Sequence, residues 1–91
     1  MKTVTTNAKG WSASEELRSA LVELGFRSGM PSIERGSHNG RFWLFADDIK
    51  RMEELVDKDG AVCIETPKRK YFITSDNSHD AMHCQFSVTT K

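Results

Sequence analysis

Four residues of the types that bind zinc occur in the second half of the chain. They are Cys63, His79, His83 and Cys84, and the two histidines have the spacing of the histidine half of a zinc finger. The sequence has no pair of closely spaced cysteines to complete such a site, and adjacent strand residues such as His83 and Cys84 point to opposite faces. The pattern therefore favours two core thiols and two loop histidines, and it predicts no bound metal and no other cofactor.

Serine, histidine and aspartate also crowd together in the segment Asp76–Asp80. Nucleophilic catalysis requires a base that is hydrogen-bonded to the nucleophile and is itself oriented by a third group. Adjacency in the sequence does not supply that geometry, and a polar loop with local side-chain hydrogen bonds explains the composition. Cys84 lies on the apolar face of a predicted strand, whereas Cys63 is expected to be more exposed. We predict a protein that is not an enzyme and has no small-molecule substrate.

Basic side chains concentrate where the sequence predicts the turns of two hairpins. One turn carries three consecutive positive charges, and the other is flanked by two arginines with an asparagine between them. Because 13 basic residues balance 13 acidic ones, this local excess must be offset, and acidic helix faces offset it. Basic tips suit contact with phosphates, although lysines at a turn also keep a hairpin soluble and discourage edge pairing. The residues predicted to bind a partner are Lys68, Arg69, Lys70, Arg35, Arg41 and Asn39.

Two large aromatic residues could add base stacking to such a site. Trp11 precedes the first predicted helix and Tyr71 lies next to the run of three charges. A small domain needs its aromatic side chains in the core, so burial is the prediction for both, with stacking on a nucleic acid as the alternative.

The first secondary-structure element that the sequence predicts is a helix, and it is one of the elements that must position the basic and aromatic residues. Ser12 and Glu15 fit a capping box, with Ser14 as a competing cap. Apolar residues then recur at helical spacing, and Gly25 stands where a left-handed residue closes a helix. The spacing predicts a helix over residues 13–24.

A hairpin is predicted next. Its strands are Ser32–Arg35 and Arg41–Phe45, and Asn39 with Gly40 supplies the turn. The second strand is apolar without alternation, which predicts that both of its faces are covered. Trp43 and Phe45 are then buried like their neighbours.

The second half of the chain predicts one helix and three strands. The helix begins at a cap formed by Asp47 or Asp48 and ends at Gly60. The predicted strands cover residues 61–65, 70–74 and 83–89.

The predicted element order is α-β-β-α-β-β-β. Without repeats or linkers, this order favours a single α+β domain over residues 11–91, in which two helices pack on an antiparallel sheet. Residues 1–10 are predicted to form a loose arm, with an edge strand as the alternative. The expected core cluster is Leu21, Phe42, Leu44, Leu55, Ile64 and Phe86.

Composition and charge restrict the class of protein. A net charge of zero argues against both an acidic DNA mimic and a polybasic coat protein. The chain begins without the apolar core of a secretory signal and contains no apolar stretch that could span a membrane. We therefore expect a cytoplasmic protein that keeps its two thiols reduced and does not act on membranes.

In its size, its predicted architecture and its lack of a catalytic motif, the chain resembles the small proteins that bacteriophages and mobile elements encode against host machinery, anti-CRISPR proteins in particular. The resemblance is one of overall profile rather than of a motif, so it assigns no functional residue. It implies an inhibitor that docks on a host protein or protein–nucleic-acid complex and blocks the binding of nucleic acid or of a partner.

The alternative is a regulator that binds RNA or DNA phosphates directly. The second helix and the hairpin that follows it, with its basic tip at Lys68, Arg69 and Lys70, resemble the helix and wing of winged-helix proteins. However, the region where a recognition helix should lie is predicted to be strand. This alternative therefore rests on phosphate contact rather than on base reading.

Overall fold

Two α-helices, one short 3₁₀ helix (Asp57–Asp59) and six strands make up the regular structure of the described chain. The computed structural model describes residues 1–27, 29–34, 36–75 and 86–91. The helices are α1 (Ala13–Glu23) and α2 (Ala46–Val56), and the strands are β1 (Lys2–Thr5), β2 (Ser32–Ile33), β3 (Asn39–Phe42), β4 (Val62–Glu65), β5 (Lys70–Ser75) and β6 (Phe86–Thr90). The strand order across the sheet is β1-β4-β5-β6-β3-β2. The predicted α+β class and the two helices are confirmed.

The N-terminal segment joins the sheet as β1. It pairs in parallel with β4, from Lys2 opposite Val62 to Thr5 opposite Glu65, so the sheet is mixed rather than purely antiparallel as predicted. In place of a loose arm, Lys2–Thr5 forms the edge strand that was the alternative. The physical reason is that β4 offers an unpaired edge, and a Thr-rich extended segment fits a pleated surface well.

Helix α1 begins and ends as the sequence predicts. The Ser12 side chain accepts a hydrogen bond from the backbone N–H of Glu15, with a donor–acceptor distance of 3.2 Å. At the other end Gly25 has φ of +88°, and the N–H of Phe26 donates to the carbonyl oxygen of Leu21 at 2.8 Å. This is the Schellman closure, in which a left-handed glycine lets the chain fold back on the last turn.

Helix α2 begins differently from the prediction. The cap residue is Phe45 rather than an aspartate. Asp48 is buried and its carboxylate accepts a hydrogen bond of 2.8 Å from the backbone N–H of Arg27. That hydrogen bond, followed by those from Arg51 and the charges of both arginines, outweighs burial and lowers the pKa of Asp48. The aspartate therefore ties the helix to the preceding loop instead of capping it.

One core lies between the helices and one face of the sheet. Five of the six predicted core residues are buried, and Leu55 packs half-buried at the edge of the cluster. Phe42 and Phe86 lie opposite each other on β3 and β6, with stacked rings whose centroids are 5.4 Å apart. Both helices contribute apolar residues to this same cluster, for example Leu21 and Met52.

The prediction that both faces of the stretch Arg41–Phe45 are covered is wrong. The strand ends at Phe42, and Leu44 remains buried. Trp43 and Phe45 are 37% and 46% exposed, with their rings edge to face at a centroid distance of 5.0 Å. The apolar run is therefore not a central strand, because the chain leaves the sheet after Phe42 to enter α2.

The second face of the sheet carries mainly polar side chains, and within the described part of the chain no helix packs on it. Cys63 lies on this face between Thr3 and Phe72 in register. It is nevertheless buried, contrary to the expectation of exposure, and burial is the main cause that raises the pKa of its thiol. A raised pKa keeps the thiol protonated and unreactive. Neither described helix is long and apolar enough to cross a membrane.

Candidate binding site

Both predicted basic turns lie at the same end of the sheet. The end of β6 holds them together, because the N–H of Thr90 donates to the carbonyl oxygen of His38 at 2.7 Å. On its other side, the backbones of Lys91 and Lys70 exchange two hydrogen bonds of 2.8 Å. The β4–β5 turn (residues 66–69) and the β2–β3 turn (described at 34 and 36–38) are thus neighbours, as a shared binding surface requires.

Two grooves open at this end of the sheet, and Trp11 lines both. The larger has a volume of about 680 Å³ and the smaller about 430 Å³. Both fall within the roughly 300–1,000 Å³ of typical ligand sites. The charged and aromatic residues of the larger groove are Trp11, Glu34, His38, Lys68, Arg69 and Lys91. Those of the smaller are Lys9, Trp11, Glu15, Glu16 and Lys68.

The Trp11 side chain is 96% exposed, which corrects the prediction that it belongs to the core. Gly10 passes so close to the first turn of α1 that an added Cβ would collide with the backbone nitrogen of Glu16. An apolar residue before a helix cap often packs on the fourth helical residue, but here that residue is Glu16 and offers no apolar partner. Tyr71, by contrast, is fully buried.

A buried carboxylate organises the wall between the grooves. Glu16 is 0% exposed. Its Oε1 accepts hydrogen bonds of 2.7 Å from the hydroxyls of Thr66 and Tyr71, and its Oε2 lies 3.3 Å from Nη1 of Arg69. By its sequence, Glu16 belongs to the acidic helix faces that are expected to offset the basic turns, but it is buried. Its position one turn from Ala13 and Ala20 on the apolar stripe is the signal that could have indicated burial.

The same network shifts two pKa values upward. Burial raises the pKa of Tyr71, and its hydrogen bond to the Glu16 carboxylate raises it further. Burial lowers the pKa of Arg69, but the hydrogen bond and the charge of Glu16, together with Tyr71, outweigh this and the net change is upward. The tyrosine is therefore a neutral donor and the arginine a permanent cation near neutral pH.

The predicted binding residues occupy three kinds of position. Lys68 is exposed and forms no ion pair within the described part of the chain. Arg69 is not a free phosphate-binding tip, because its charge is held by Glu16. Lys70 and Arg41 lie on the polar face of the sheet, where Lys70 is 3.9 Å from the Glu65 carboxylate.

The predicted turn at Asn39 and Gly40 is wrong. Asn39 is the first residue of β3, paired with Thr89 of β6, and Gly40 lies within the same strand. The turn itself is formed by the preceding residues, where the N–H of Ser37 donates to the carbonyl oxygen of Glu34 at 2.9 Å. Gly36 supplies the left-handed conformation with φ of +81°. Arg35, also predicted to bind, lies outside the described residues.

Of the four possible zinc ligands, Cys63 is the one that lies within the described residues. His79, His83 and Cys84 lie outside the described residues, as does the polar segment Asp76–Asp80. Across residues 1–27, 29–34, 36–75 and 86–91, no three metal-binding side chains cluster. Cys63 therefore belongs to no such group within these ranges.

Charge reversal should distinguish the two solvated lysines of this turn from the arginine that is paired with a buried carboxylate. The double substitution Lys68→Glu and Lys70→Glu should change the free energy of unfolding by no more than about 1 kcal/mol, because both side chains are solvated. Arg69→Glu places a second carboxylate against buried Glu16 and should cost about 3–5 kcal/mol. Urea unfolding measures both quantities. Equal effects of the two changes would contradict the assignment of Arg69 to the internal network.

The site thus combines an accessible indole, solvated lysines and a wall fixed by a buried ion pair. This arrangement can bind a partner by stacking and charge, and the described residues offer no activated nucleophile next to it. A scan against protein families, a search of curated proteins and a search of solved structures each returned no match to this chain.

Proposed function

We propose that this protein is a small non-enzymatic binding protein that docks on a host nucleoprotein complex through the Trp11 grooves and blocks the binding of nucleic acid or of a partner. The observation that carries the proposal is the exposure of Trp11 between two grooves. A tryptophan is costly to leave in water and is among the residues most enriched at the energetic centres of interfaces. This role agrees with the resemblance to phage-encoded inhibitors of the anti-CRISPR type.

Charge supports docking on a complex rather than coating of free nucleic acid. The chain has no net charge, and Glu16 neutralises one of the three charges of the basic turn. Binding of free duplex requires several unpaired cations along the phosphates. The regulator that binds phosphates through a hairpin tip therefore stands as the weaker proposal, with Lys68 as the cation of that turn that has no ion pair among the described residues.

Affinity capture from a bacterial lysate tests this function. The wild-type protein should retain a complex that contains nucleic acid, and Trp11→Ala should weaken this capture by about 2–4 kcal/mol, the range of a central interface tryptophan. The fold should be unchanged, because the side chain is 96% exposed. Trp11→Phe should keep part of the affinity.

Phe45→Ala is the matched control, since it removes an exposed aromatic ring beyond the other end of β3. It should leave capture unchanged. Loss of capture with Phe45→Ala but not with Trp11→Ala would place the contact at the opposite end of the sheet and overturn the proposal. Capture of free duplex in place of a complex would favour the regulator.

A further inference from the structure

The indole of Trp11 is accessible from two sides. It forms part of the lining of both grooves, and 96% of the side chain is in contact with solvent. A flat aromatic ring held in this way can stack on the face of an unpaired base, and every base presents such a face. A base inside a duplex does not, because its faces are covered by its neighbours.

Cations flank the indole along both grooves. Lys9 lines the smaller groove, Lys91 the larger, and Lys68 lines both. Within the described part of the chain, neither Lys9 nor Lys68 forms an ion pair. The ammonium group of Lys91 lies 5.4 Å from the ring centre of Phe72, on the second face of the sheet, so Lys9 and Lys68 are the cations next to the indole.

The acidic residues of the grooves do not neutralise the positive charge of these lysines. The charge of Glu16 is paired with Arg69, and its Oε1 accepts hydrogen bonds from two hydroxyls. Glu15 and Glu34 are the other acidic residues of the two linings, and each groove contains one of them beside at least two basic residues. The path across Trp11 through Lys68 therefore offers positive charge next to an aromatic platform. Stacking surfaces flanked by cations are the usual means of binding single strands without sequence preference.

We propose that the two grooves bind an unpaired nucleic-acid strand, with bases stacked on Trp11 and phosphates held by Lys9 and Lys68. This inference rests on the proposed function and names the part of the nucleoprotein complex that the protein contacts. An acidic segment of a protein is the competing occupant. It would use the same lysines but would leave both faces of the indole without a matching surface.

Tryptophan fluorescence tests the inference directly. The Trp43→Phe variant leaves Trp11 as the one tryptophan of the chain, and its melting temperature shows whether the fold is kept. An oligothymidylate of about 12 nucleotides, within the roughly 4–16 nucleotides that small single-strand-binding domains cover, should quench its emission on binding. A duplex of the same length should bind more weakly and should not quench.

Two substitutions separate stacking from charge. In the otherwise wild-type protein, followed by the anisotropy of a labelled oligothymidylate, Trp11→Ala should weaken binding by roughly 5- to 150-fold. Lys68→Ala should weaken it less and should reduce the slope of log affinity against log salt by about 0.7, because it removes one cation from the phosphates. Lys50→Ala, an exposed lysine on α2, is the matched control and should change neither quantity.

The outcomes distinguish this inference from the proposed function. Absence of quenching by oligothymidylate, together with lysate capture that still requires Trp11, would overturn the inference and leave the function in place. Equal or tighter binding of a polyglutamate peptide would assign the grooves to an acidic protein segment and also overturn it. If neither oligothymidylate binding nor capture depends on Trp11, both proposals fail.

Discussion

Truncation of Phe42 to alanine is expected to lower the free energy of unfolding by about 3–5 kcal/mol. The ring is 1% exposed and stacks on Phe86, its partner in the register of β3 and β6. Removal leaves a cavity where these two strands meet the helices. Because small domains have roughly 5–15 kcal/mol of stability in total, this single change removes a large share.

Urea unfolding of the variant and of Phe45→Ala provides the comparison. Both changes remove a phenylalanine ring within one four-residue stretch, but Phe45 is 46% exposed. We expect Phe45→Ala to cost about 1 kcal/mol, mainly from partial burial and its contact with Arg27. A melting transition that Phe42→Ala leaves unchanged would show that β3 is wrongly placed in the sheet.

Removal of the Glu16 side chain should cost about 3 kcal/mol, the lower end of the 3–5 kcal/mol typical of a broken buried pair. The lower end applies because Arg69 keeps 29% of its side chain in solvent. Glu16→Ala leaves the hydroxyls of Thr66 and Tyr71 without their acceptor as well as the arginine without its counter-charge. Glu16→Gln should cost less, since its amide oxygen can still accept those hydrogen bonds.

The adjacent residue supplies the control for this prediction. Glu15 lies in the same helical turn but is exposed, and Glu15→Ala should change stability by about 0.5 kcal/mol or less. A double-mutant cycle of Glu16→Ala with Arg69→Met should show coupling between the two residues. If Glu15 and Glu16 gave the same loss, the buried network would have no energetic role.

Local patterns predicted the first helix well because the signals lie next to the residues they govern. The cap at Ser12 and the closure at Gly25 both involve hydrogen bonds within a few residues. The apolar spacing of β4 and β5 likewise predicted strands over nearly the observed ranges. In each case the short-range pattern and the tertiary contacts favour the same structure.

Long-range pairing explains what the sequence could not predict. Lys2–Thr5 becomes a strand because a partner roughly sixty residues away offers an edge, and the local sequence could not decide between this edge strand and a loose arm. Asn39 and Gly40 carry the residues of a tight turn, but pairing with β6 holds them in β3. Tertiary contacts thus override local turn preference at this position.

The candidate site, like the fold, was predicted only where local sequence decides the structure. The basic β4–β5 turn was predicted and the β2–β3 turn was misplaced at Asn39 and Gly40, and their meeting depends on the hydrogen bond between Thr90 and His38, which joins distant segments. The exposure of Trp11 and the burial of Glu16 reverse the usual preferences of these residue types. They are linked, because the glutamate occupies the position where an apolar partner for the tryptophan would lie.

Oxidative footprinting of the captured complex tests the central claim most directly. The chain has two tryptophans, and Trp43, beyond the other end of β3, serves as the internal control. We expect binding of the partner to protect Trp11 from hydroxyl-radical oxidation while the oxidation of Trp43 stays unchanged, as read by mass spectrometry of the two peptides. Unchanged oxidation of Trp11 in the complex would contradict the assignment of the grooves as the contact surface.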